Sequence, residues 1–337
     1  MDRHKMRREP WEVDAMAFPS EGGKAEKLAF LLGYAILAPS SHNTQPWRFT
    51  VGEQEIRIHV ERSRWLRVAD ADQRELYVSI GCALENLLVA AEHFGYGHTK
   101  SYVPEGEESD LAVVVQLRPD GAGSGHVREG LLEAIPERRT NHNTFNGQPL
   151  PRGVWNRLQA CDVEDDVSLR LTDDAAVKRA VDEMIVEADA MQFADPAWRE
   201  ELGHWLGRGV FGAPWLMSKV SQLAVTYLNL GSGTAKKDSE LLMSAPVLAV
   251  IDSARDDRAS QIKAGQLFER VALAATTMDV RSHPMSQILE IPEMKARVAE
   301  QLPGGSGTPQ QTFRLGFGEA EGEPTPRRPV GKVMDWE

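Results

Sequence analysis

The chain has little cysteine, no excess of positive charge and no long apolar run, and each shortage removes a class of protein. Two of its 337 residues are cysteines, Cys82 and Cys161, and neither stands at a metal or redox spacing. A disulfide framework is therefore not expected, and a reducing, cytoplasmic setting fits. Acidic residues outnumber basic ones by 50 to 38, for a formal net charge of -12, which argues against a nucleic-acid partner, since that needs a basic face. No apolar run reaches the roughly 20 residues that span a bilayer, so no membrane span is expected and the chain reads as soluble. Arg3, Lys5, Arg7 and Arg8 imitate the start of a signal peptide, yet Glu9-Pro10-Trp11-Glu12 stands where its apolar segment should follow. Residues 1–25 read instead as an N-terminal arm.

Several catalytic signatures are missing as well. There is no Gly-x-x-x-x-Gly-Lys-Ser/Thr loop, and the glycines at 304–307 have neither a strand before them nor a helix after them. The nine histidines include no His-Glu-x-x-His, so no metal site is expected, and no Gly-x-Ser-x-Gly elbow is present. Phosphate-loop enzymes, dinucleotide folds of the glycine-fingerprint type, zinc hydrolases and serine hydrolases are all disfavoured.

What is present is organised around Ala38-Pro39-Ser40-Ser41-His42-Asn43-Thr44-Gln45-Pro46-Trp47-Arg48-Phe49. An apolar helix over Leu28–Leu37 precedes it, and an alternating strand at Ile56, Ile58 and Val60 follows. Pro39 ends the helix and Pro46 fixes the exit. The result is a shaped loop that either presents hydroxyls and amides to a planar polar ligand or only caps and turns.

Periodicity then predicts a helix from Leu76 to Phe94, ended by Gly95, and a buried strand over Leu111–Leu117. A Gly/Ser stretch, Gly121–Gly125, marks a boundary, so residues 26–125 read as one unit and 126–337 as a second. The second unit is expected to carry a short helix over Val127–Ile135, helices near Ala175–Met191 and Arg199–Leu206, and an aromatic-rich insert at 191–235. Strands at Ser244–Ile251 and Gln311–Gly316, with helices at Gly265–Met278 and Pro292–Gln301, complete it. The two units repeat faintly. A shift of 184 positions aligns Asp72 with Asp256, Arg74 with Arg258, Gly81 with Gly265 and Glu85 with Glu269.

Four segments can grip an anionic, planar ligand: the loop; Arg138-Arg139-Thr140-Asn141; the Pro-bounded turn His283-Pro284-Met285-Ser286-Gln287; and Arg327-Arg328. Guanidinium forks suit phosphate, and a proline-bounded turn leaves backbone N–H groups free. Each segment also reads as an ordinary solvated patch or surface turn.

Taken together, these residues resemble a family. Pro39-Ser40-Ser41-x-Asn43-x-Gln45-Pro46-Trp47 resembles the signature loop of the flavin-dependent nitroreductase superfamily, and Arg138-Arg139-Thr140 resembles its Arg-Arg-Ser phosphate motif. Arg314-Leu-Gly-Phe-Gly with Pro326-Arg327-Arg328-Pro329-Val330 resembles its terminal strand and tail. The match is strongest to the longer, twin-unit group typified by the mycobacterial Acg proteins. That resemblance implies an α+β nitroreductase-like fold, with two related halves forming an intrachain pseudo-dimer and mixed sheets flanked by helices. It implies FMN as cofactor and NAD(P)H as electron donor. Arg138, Arg139, Thr140, Arg327 and Arg328 would hold the phosphate and ribityl groups, and Ser40, Ser41, Asn43 and Gln45 would reach the ring. Pro284, Met285 and Ser286 would place a backbone donor near N5, and His142 would stand near N1 where the family usually has Lys or Arg. The equivalent site of the first half should be empty. Three functions follow: an oxidoreductase acting on nitroaromatic, quinone or similar acceptors; an FMN-sequestering protein whose insert closes the site; and an interaction module without cofactor. The chain would be a monomer with an internal pseudo-dimer, or a loose homodimer.

Overall fold

Alternating burial along Trp47–Val51 and Glu55–Val60 marks a sheet in the first half, and near-continuous burial along Val247–Ser253 and Thr308–Gly316 marks the centre of a second sheet in the other half. A computed structural model describes residues 9–119, 128–212, 215–227, 231–301 and 307–337. The first half runs through helix α1 (Lys24–Ala35), strands β1 (Trp47–Val51) and β2 (Glu55–Val60), helix α2 (Arg74–His93), and strands β3 (Tyr96–Tyr102) and β4 (Leu111–Pro119). The second begins with α3 (Arg152–Gln159) and β5 (Val167–Thr172). Four helices follow: α4 (Ala175–Ala194), α5 (Pro196–Gly207), α6 (Trp215–Tyr227) and α7 (Gly231–Ser244). Next come β6 (Val247–Ser253), α8 (Arg258–Thr276), β7 (Arg281–Pro284), α9 (Pro292–Gln301), β8 (Thr308–Gly316) and a short return strand, β9 (Met334–Trp336).

Strand order exposes the repeat. The first sheet runs β3-β4-β2-β1 and the second β7-β8-β6-β5, with every one of these pairings antiparallel. The tail breaks this symmetry, because β9 crosses back and pairs in parallel with β1 at the edge of the first sheet. The four helices α4–α7 lie between β5 and β6, where the first half has only a tight turn. The aromatic-rich stretch expected as an insert is thus helical along most of its described length.

Helices α2 and α8 form the centre. Asp70 starts α2 by accepting the Glu75 and Leu76 amides at 2.8 and 2.9 Å, and Asp257 caps α8 through the Ser260 amide at 2.8 Å. The two helices touch at the paired glycines that the 184-residue shift aligns. A Cβ on Gly81 would collide with the Ile262 carbonyl oxygen, and one on Gly265 with the Val78 carbonyl oxygen. Residues 78 and 262 are themselves 184 apart, so the contact is self-complementary, as an isologous dimer contact is. Both glycines exist for close backbone approach, not for turn geometry.

One expected element shrinks. The helix predicted over Val127–Ile135 is a single turn, Ala134–Glu137, because Gly130 takes a φ of +73° that no helix continues through. The Gly121–Gly125 boundary and Arg3–Arg8 of the arm lie outside the described residues. Among those described, no helix is long and apolar enough to cross a membrane.

Candidate functional site

Just beyond α1, the loop after Pro39 turns through three left-handed residues, His42 (φ 47°), Asn43 (φ 51°) and Gln45 (φ 52°). Side chains other than glycine hold this conformation only where neighbours fix it. Ser40 Oγ accepts the Gln45 amide at 2.9 Å. Asn43 Nδ2 donates to the carbonyls of Val210 at 2.6 Å and Pro326 at 3.0 Å, while its Oδ1 accepts from Arg327 at 2.9 Å. Gln45 Oε1 accepts the Arg328 amide at 2.7 Å. Asn43 and Gln45, expected as ring contacts, fasten the C-terminal tail to the first half with these side-chain bonds. Ser41 donates its hydroxyl hydrogen to Glu75.

This bolting brings Arg327 beside Arg138. Both guanidinium groups donate to the Leu37 carbonyl, at 3.2 and 3.3 Å, and both are buried. Arg138 Nε lies 3.2 Å from Glu269 without hydrogen-bond geometry. Burial pushes the Glu269 carboxyl up to about 7, against the pull of Arg138 and Arg327. Burial, and then the charge of Arg138, holds Arg327 well below its usual range. Arg139 stands alongside, bonded to the carbonyls of Pro136 and Arg138 at 2.7 and 2.9 Å.

The position related by the repeat is built otherwise. Glu85, the counterpart of Glu269, receives Arg128 at 2.7 and 3.0 Å and Arg270 at 2.7 and 2.8 Å. Arg270 also meets Glu164 at 2.9 Å, and Arg128 meets Glu92 at 3.0 Å. Burial opposes ionisation of Glu85, but the two arginines prevail and hold its carboxyl far below the usual range. One end of the central helix pair is thus neutralised by carboxylates. The other, at Arg138 and Arg327, is short of negative charge, and the Nε atoms of both arginines are buried without a hydrogen-bond partner. That donor set fits a phosphate dianion.

The remaining expected residues lie along one connected path. Thr140 bridges Ser282, and the Asn141 amide donates to the Ser282 carbonyl at 3.0 Å, which sets His142 edge-on to His283 with ring centroids 4.6 Å apart. His142 is exposed, with Glu321 at 3.7 Å, so a carboxylate stands beside the position expected to carry positive charge. In the turn Pro284-Met285-Ser286, the Met285 amide already donates to the Thr312 carbonyl at 2.8 Å, while Ser286 Oγ exchanges hydrogen bonds with the same residue. That leaves the Ser286 amide as the candidate donor. Arg328 differs from its neighbour, because its guanidinium pairs with Glu61 at 2.7 Å.

Three further residues shape the site although the sequence assigns none of them a place in it. Glu269 was visible only as a repeat partner of Glu85. Arg314, buried on β8, donates to His283 Nδ1 at 3.1 Å and to the Asn141 and Asn143 carbonyls at 2.8 and 2.9 Å; burial brings it down to about 10. Trp11, from the arm, carries both Arg139 and Arg327 over its ring.

No family model matches the chain. It is 29% identical over 322 residues, 93% of this chain and 92% of the relative, to a Mycobacterium tuberculosis H37Rv protein named "Putative NAD(P)H nitroreductase Rv3131". To "Putative NAD(P)H nitroreductase acg" of the same organism it is 26% identical over 311 residues, covering 89% and 92%. To "Probable NAD(P)H nitroreductase PigM" of Serratia sp. it is 22% identical over 330 residues, covering 90% and 91%. Among solved structures, the FMN-dependent nitroreductase NfnB of Mycobacterium smegmatis in complex with NADPH aligns over 61% of this chain and 96% of its own, at 14% identity and a TM-score of 0.40.

Proposed function

We propose, from the premise that the chain is a relative of Acg and the other proteins named NAD(P)H nitroreductases over most of its length, that it is an FMN-dependent oxidoreductase. It draws electrons from NAD(P)H and passes them to a nitroaromatic, a quinone or a similar planar acceptor. The observation that carries this reading is the contrast between the two ends of the α2–α8 pair: Glu85 is saturated by two arginines, whereas Arg138 and Arg327 face one buried carboxyl, Glu269. When bound, FMN supplies the hydride chemistry. The chain's part is to bind and orient it. Arg138, Arg139 and Arg327 take the phosphate, the Ser40–Gln45 loop and the Pro284–Ser286 turn flank the ring, and the Ser286 amide donates toward it.

A second reading has support of its own. Val210 and Phe211, which follow α5, reach the loop: the Val210 carbonyl accepts from Asn43 and the Phe211 ring stands edge-on to His42 at 6.4 Å. An insert held there restricts access, as a lid does, and favours storage of FMN over turnover. An absorbance scan of the purified protein, followed by anaerobic addition of NADH or NADPH, separates the two. Flavin bands that bleach support the oxidoreductase, and bands that persist support storage. No bands after reconstitution with FMN would refute both.

A further inference from the structure

The N-terminal arm is fastened at two points. Phe18 stacks on Phe94, with ring centroids 4.3 Å apart and planes 10° off parallel, and meets Phe30 edge-on at 5.4 Å. Seven residues earlier, Trp11 is buried and its indole N–H donates to the Thr325 carbonyl at 2.9 Å. The guanidinium carbons of Arg139 and Arg327 stand 4.5 and 4.6 Å from the centroid of that one indole. Thr325 ties the arrangement together, because its hydroxyl accepts from Arg327 at 2.7 Å.

Two arginines gathered beside a third repel one another, and the buried carboxyl of Glu269, with Glu137 and Glu323 acting on Arg139, offsets them only in part. The negative face of an aromatic ring does so without competing for the N–H donors, and the contact is stronger where water is excluded. We propose that the arm is a strap over the phosphate end of the FMN site, and that Trp11 is the positioning residue that holds Arg139 and Arg327 aimed at the phosphate. This rests on the FMN reading above and adds a residue and a role to it. Trp11 acts through the arginines, so retention of the phosphate depends on the arm, whereas recognition of the ring does not.

The test compares FMN with riboflavin, which lacks the phosphate, in wild-type protein, Trp11→Ala and Trp11→Phe. Fluorescence titration gives affinity, and stopped-flow dilution gives the dissociation rate. Trp11→Ala should weaken FMN roughly ten- to a hundredfold, the range of one or two desolvated cation–π contacts. Riboflavin affinity should be unchanged, and Trp11→Phe should recover part of the loss. Equal losses for FMN and riboflavin would make Trp11 a structural residue only and overturn the strap, as would FMN binding that Trp11→Ala leaves unchanged. Failure of the wild-type protein to bind FMN at all would refute the FMN reading itself, and the strap with it.

Discussion

Glu269→Gln removes the one buried carboxyl that Arg138 and Arg327 share while keeping its shape. In the folded chain this carboxyl holds its proton up to about 7, well above the roughly 4.5 of an unfolded glutamate. The folded state therefore binds the proton more tightly, and the group destabilises the fold only once the unfolded chain ionises. Stability of the FMN-free protein is unaffected by it below about pH 4.5, falls as pH rises, and has lost about 3 kcal/mol above pH 7. Glutamine does not titrate, so the variant should lack that loss, which urea melts at pH 5 and pH 8 read directly. The same proton governs phosphate binding. An anion beside Arg138 favours protonated Glu269, and the fraction protonated falls roughly tenfold between pH 6 and pH 8. The phosphate's own second ionisation, near pH 6, recovers about twofold. Wild-type affinity for FMN should thus weaken about fivefold over that range, whereas Glu269→Gln should hold steady or improve slightly. Parallel pH profiles for the two proteins, in melts and in titrations, would refute the assignment of Glu269 to the phosphate end.

Arg138→Ala should loosen FMN roughly tenfold or more, the loss of a charge-assisted contact, in the same titration. Gly265→Ala drives a Cβ into the Val78 carbonyl and should destabilise the fold by about 2–3 kcal/mol in urea, since neither backbone can retreat from the other. Arg270→Leu leaves Glu85 with Arg128 as its one remaining arginine and Glu164 with Lys100 and Arg128 and should cost about 3 kcal/mol, with little change in FMN affinity.

Much of this arrangement was legible because backbone contact leaves marks in sequence. A helix crossing tight enough to exclude a Cβ demands glycine, and the same crossing seen from both sides demands it twice at one offset; Gly81 and Gly265 obey that rule, and Glu85 and Glu269 follow one turn later. The bounds of the loop were legible through Pro39 and Pro46, which stop the helix and fix the exit, but its left-handed turn at His42, Asn43 and Gln45 was not. The roles of Arg327 and Arg328 were not separable, because their difference lies in Glu61, more than 260 positions away. Which amide of the Pro284–Ser286 turn is left free is not legible, because sheet register gives the Met285 amide its partner, Thr312, and register is not written in four residues. Trp11 gave no periodic signal, being a single aromatic in a segment that packs as an arm.

The crossing at Gly81 and Gly265 joins two halves that are covalently one chain. A site assembled from two separate subunits weakens on dilution, since its halves part company with mass action. Here the loop of one half and the arginines of the other belong to a single polypeptide, so their meeting is set by the effective concentration within one chain. The dissociation constant for FMN should then be independent of protein concentration.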